Sequence, residues 1–119
     1  MMNARTEFDC PSEHELTEWF GCVPEKDEDF RYRYRVSDRF DVRLIFSFDV
    51  IEASIQTIVT VGDAPVTKVV HEGARRLWLE DLGKTRLLRA EYFSQGYLTQ
   101  MTVEIEPRIR VEWSTLRSE

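Results

Sequence analysis

From Phe30 onward the apolar residues recur with a period of two, and this alternation constrains the fold more than any other feature. A period of two belongs to strands with one buried face, whereas an amphipathic helix repeats every 3.6 residues. FRYRYRV sets Phe30, Tyr32, Tyr34 and Val36 on one face and Arg31, Arg33 and Arg35 on the other. FDVRLIFSFD aligns Phe40, Val42, Leu44, Phe46 and Phe48, and SIQTIVTV is rich in β-branched residues. YLTQMTVEIE groups Tyr97, Thr99, Met101, Val103 and Ile105. Turn signals at Gly62 to Pro65, Glu72-Gly73, Leu82-Gly83 and Gln95-Gly96 space the strands at about ten residues. The expected fold is mostly β, with one short N-terminal helix followed by an antiparallel meander of about eight strands. A curved sheet, a half-barrel and a sandwich all satisfy the pattern. At 119 residues the chain is expected to form a single domain, 1–119.

Register decides what FRYRYRV is for. A three-residue loop, Ser37 to Arg39, pairs Val36 with Phe40, Tyr34 with Val42, Tyr32 with Leu44 and Phe30 with Phe46, which makes one face wholly apolar. The other face then sets Arg35 against Asp41, a favourable pair, and Arg33 against Arg43, an unfavourable one. On this reading the aromatics are core. They are not free to stack bases, so an RNA-facing surface built on Arg31, Arg33, Arg35 and Arg43 is disfavoured. At the other end, a two-residue turn at Gln95-Gly96 pairs Ala90 with Met101 and Leu88 with Val103. An alternative remains for the interior, a barrel-like cavity for a small ligand lined from Tyr32, Tyr34, Phe46 and Phe48.

The helix is expected at PSEHELTEWFG. Ser12 caps the first turn, Glu15 reaches back to complete a capping box, and Gly21 supplies the left-handed stop. Leu16, Trp19 and Phe20 share its apolar face. Cys10 and Cys22 flank it, and about ten residues of helix hold its ends roughly 15 Å apart. That separation exceeds disulfide reach, so two free thiols are expected. A metal site from Cys10, His14 and Cys22 lacks a fourth ligand and a zinc-like spacing.

Charge is distributed unevenly. Residues 1–29 hold nine acids against Arg5 and Lys26, net −7, while the remainder holds thirteen acids against fourteen bases, net +1, within a total of −6. Glu13, Glu15, Glu18, Glu25, Asp27, Glu28 and Asp29 form the candidate partner-binding surface, suited to a basic protein and repellent to nucleic-acid phosphates. A competing reading makes Glu13 and Glu15 complements of the helix dipole and the acids at 27–29 counter-charges for the arginine row. Catalytic signatures are poor. The glycines stand too far apart to cradle phosphate, neither G-x-S-x-G nor H-E-x-x-H occurs, and His14 and His71 have acidic neighbours but no nucleophile. The reading is non-enzymatic, with no cofactor and no metal. The longest uncharged runs, Ala53 to Gly62 and Tyr92 to Val103, are too short to cross a bilayer. The N-terminus has no apolar run behind Arg5, so a cytoplasmic location is expected. The oligomeric state is left open.

A short helix ending in EWFG, a proline soon after in CVPEKDED, and the strands FDVRLIFSF and SIQTIVTV together resemble the mostly-β immunity protein fifty family of bacterial polymorphic-toxin systems. The likeness spans most of the chain and rests on Trp19, Phe20, Gly21 and Pro24 plus general hydrophobic positions. The resemblance implies a cytoplasmic protein that neutralises a cognate toxin by binding it, with no catalytic residues.

Overall fold

In the computed structural model, residues 8–27 and 30–117 are described. Helix α1 (Glu13–Phe20) starts and stops as its sequence dictates. The Ser12 hydroxyl accepts from the Glu15 amide, the Glu15 carboxylate accepts from the Ser12 amide at 3.0 Å, and Gly21 ends the helix at φ 77°. Leu16, Trp19 and Phe20 are its buried residues.

Nine strands follow: β1 (Glu25–Asp27), β2 (Arg31–Ser37), β3 (Val42–Asp49), β4 (Ser54–Val61), β5 (Ala64–His71), β6 (Ala74–Asp81), β7 (Arg86–Ser94), β8 (Tyr97–Glu104) and β9 (Arg110–Arg117). They form two antiparallel meanders, β1 to β5 and β6 to β9, rather than a closed barrel. The strand beyond the expected set is β1, in the stretch read from sequence as a loop. It carries no apolar residue, and its pairing sets Glu25 against Arg33 and Asp27 against Arg31. Cross-strand charge pairs, not burial, account for it.

Both hairpin registers anticipated from the sequence can be checked. Gln95 and Gly96 both have positive φ, the conformation of a tight hairpin turn, and Ala90 opposes Met101 while Leu88 opposes Val103, as expected. The β2–β3 register differs by four residues. Val36 opposes Leu44, Tyr34 opposes Phe46 and Tyr32 opposes Phe48. The cause is Asp38, whose Oδ1 accepts from the Phe40 amide at 2.8 Å and the Val42 amide at 3.1 Å, holding the longer loop Asp38 to Asp41. Such side-chain-to-backbone bonding is how aspartate organises turns. Arg35 therefore faces Ile45 rather than Asp41, Arg43 faces Ser37 rather than Arg33, and Phe40 is exposed instead of core. An even slip preserves the faces, so the aromatics remain inside. Tyr97, expected on the apolar face of β8, is also exposed at the strand end.

The sheets share one core. Phe20 of α1 stacks on Tyr34 at 4.3 Å and lies 5.5 Å from Phe46, so the helix covers the β2–β3 part of the five-stranded sheet. From the second sheet, Tyr92 and Trp113 meet His71 of β5 at ring separations of 4.2 and 5.9 Å. Leu44, Ile55, Leu77, Leu88, Met101 and Val103 complete the interior. At another corner Asp38 Oδ2 accepts from the Ile109 amide at 2.8 Å, tying the β2–β3 loop to the segment before β9.

Candidate functional site

The acids singled out from sequence are mostly spoken for. Glu13 pairs with Lys26 at 2.7 Å, and Glu15 belongs to the capping box. Glu25 accepts from Arg35 Nε at 2.7 Å and from Arg33 at 3.5 Å, and the Arg35 hydrogen bond foremost holds its carboxyl below the usual range. Asp27 lies 3.6 Å from Arg31. Glu18 faces solvent, 3.9 Å from His14. Glu28 and Asp29 lie outside the described residues. The arginine row is thus neutralised from β1, Arg31 by Asp27 and Arg33 and Arg35 by Glu25, whereas the competing charge reading names residues 27–29 as the counter-charges. FRYRYRV is a strand whose outer arginines bind their own chain's carboxylates and whose aromatic face is internal.

These contacts converge on one concavity. A groove of about 470 Å³ opens on the outer face of the five-stranded sheet, between β1 and the β3–β4 turn. Register explains its floor. Glu25, Arg33, Ser47, Gln56 and Val70 stand opposite one another across all five strands, and the next outward row is Asp27, Arg31, Asp49 and Ser54. Because alternate residues share a face, both rows present side chains to the same surface.

Asp49 anchors the groove. Its Oδ1 accepts from the Ile51 and Glu52 amides at 2.9 and 3.0 Å, and its Oδ2 accepts from Arg31 Nε at 3.2 Å. Burial opposes its ionisation, but those amides and Arg31 outweigh it and keep the carboxyl below its ordinary value of 3.8. Sequence reasoning missed Ser47, Asp49, Glu52, Gln56 and Val70. The signal present was local only, an aspartate directly before a turn.

Chemistry elsewhere is quiet. Cys10 and Cys22 are free, half-buried thiols; burial, then Asp9, raises Cys10, and the Cys22 thiol donates to the Arg35 carbonyl at 3.5 Å. No group of three metal-ligating side chains occurs among the described residues. His71 is packed against Tyr92 and Trp113, and His14 is exposed on the helix. The residues proposed to line a ligand cavity are instead packed in the core: Tyr34 and Phe46 are inaccessible, Tyr32 stacks on Phe48 at 5.1 Å, and Phe20 fills the space beside Tyr34. Burial pushes the Tyr34 hydroxyl up to about 12. No helix among the described residues is long and apolar enough to cross a membrane.

No family model matches the sequence, and no curated protein matches it. Among solved structures, a chain of the contact-dependent growth inhibition toxin–immunity protein complex from Klebsiella pneumoniae 342 is similar to this one. The TM-score is 0.84 at 22% identity, and the likeness covers 94% of this chain and 100% of that chain. At that identity the likeness establishes the fold. It also agrees with the resemblance to an immunity protein read from the sequence.

Proposed function

We propose that this chain is a non-enzymatic binding protein, an immunity protein that neutralises a toxin by occupying it, working in the cytoplasm. The observation that carries the reading is the full-length likeness to a chain from a toxin–immunity complex. The surface supports it. His71 is packed against Tyr92 and Trp113, and the carboxylates of Asp38 and Asp49 are committed to holding turns. The acidic stretch from α1 through β1, Glu13, Glu15, Glu18, Glu25, Asp27, Glu28 and Asp29, then steers a basic toxin toward the chain by long-range attraction. The ligand-cavity alternative is set aside because Phe20 and the stacked aromatics occupy the interior.

The test is co-expression. If a toxin domain is encoded directly upstream of this gene, cells producing it alone are expected to stop growing and to resume growth when this chain is present, with a one-to-one complex on gel filtration. Continued arrest, with both proteins soluble and eluting separately, would remove the immunity reading.

A further inference from the structure

The groove on the five-stranded sheet is unequally charged once its internal pairs are set aside. Lys26 is bound to Glu13, Arg33 to Glu25, and Arg31 to Asp27 and Asp49. The remaining carboxylate in the lining, Glu52, is exposed on the β3–β4 turn and has no ionic partner among the described residues. The side chains of Ser47 and Gln56 on the floor have no hydrogen-bond partner there either, and Val70 at the far wall is 54% exposed. Every guanidinium in the groove already faces a carboxylate, which leaves nothing to attract a phosphate. A cation, a hydrogen-bonding middle and an apolar end are what the surface lacks.

We propose that this groove receives a segment of the toxin carrying a lysine or arginine and, farther along, an apolar side chain. The cation sits against Glu52, the backbone of the segment bonds Ser47 and Gln56, and the apolar side chain covers Val70. This rests on the immunity reading and assigns its contact residues, all four of which, Ser47, Glu52, Gln56 and Val70, lie outside the acidic stretch that the sequence singled out. Backbone-directed contacts from a fixed sheet suit an extended segment, and Glu52, the one open carboxylate among the described lining residues, sets where its charge must fall.

Calorimetric titration of the full chain with the upstream-encoded toxin domain at low salt tests it. Glu52→Lys and Val70→Glu are each expected to weaken binding by about tenfold or more, and Glu52→Gln by about threefold. Glu112→Lys, on the outer face of β9, is expected to bind as the wild type does. Circular dichroism and melting curves confirm that each variant is folded. If the wild type binds and all three groove variants stay within about twofold of it, the groove assignment is overturned while the immunity reading stands. If the wild type itself fails to bind, both are overturned.

Discussion

Phe20→Ala is expected to lower the unfolding free energy by about 4 kcal/mol, a large part of the total for a domain of this size. Phe20 is nearly inaccessible, and its ring meets Tyr34 at 4.3 Å, Trp19 at 4.8 Å and Phe46 at 5.5 Å. Truncation removes apolar surface and three aromatic contacts, and it leaves a void against a β-sheet that cannot collapse into it. Leu16 and Trp19 are buried on the same face of the helix, so a void at Phe20 loosens their packing as well. Phe20→Leu, which retains most of the volume, is expected to cost about 1 to 2 kcal/mol. Urea denaturation reads both values. A Phe20→Ala midpoint close to wild type would mean that α1 does not seal the core as described.

Asp38→Ala is expected to cost about 3 kcal/mol, because a charged acceptor with three backbone donors is replaced by a methyl group. The Phe40 and Val42 amides lose the bonds that shape the β2–β3 loop, and the Ile109 amide loses the bond joining that loop to the second sheet. The same site gives a pH signature. Burial opposes ionisation of Asp38, but the Ile109, Val42 and Phe40 amides outweigh it and hold its carboxyl below 3.8, as happens at Asp49. For a carboxyl depressed on folding, the stabilisation is fully present above the unfolded value and is lost as the pH falls through the folded one. The melting temperature is therefore expected to be level near neutrality and to fall below about pH 4. Asp38→Ala is expected to start lower and to fall less steeply. An acid limb of unchanged slope in the variant would show that Asp38 is not one of the groups responsible.

How much of this the sequence reveals depends on how local each determinant is. The helix was legible from Ser12 to Gly21 because capping box, apolar face and glycine stop all lie within one short segment. The β7–β8 register was legible for a similar reason, since two residues, Gln95 and Gly96, set it. At β2–β3 the alternation fixed which face each residue occupies but not the slip along the strand, because a shift of four residues leaves every face unchanged. The carboxylate of Asp38 decided that register, and no periodicity reports it. Strand β1 was hidden because Glu25, Lys26 and Asp27 carry no apolar signal. The groove was not legible at all. Ser47, Gln56 and Val70 are brought abreast by the registers of three strands, and Glu52 becomes distinctive only when every neighbouring charge is seen to have a partner.

The most direct test of the central claim, that this is a toxin-binding protein which engages its partner through the outer face of the five-stranded sheet, is amide hydrogen exchange on the complex with the upstream-encoded toxin domain. Protection gained on binding is expected at Glu25 to Asp27 and across Ser47 to Gln56, with β9, Arg110 to Arg117, exchanging as it does in the free protein. Protection confined to β6 to β9, or exchange unaltered anywhere on the chain, would contradict it.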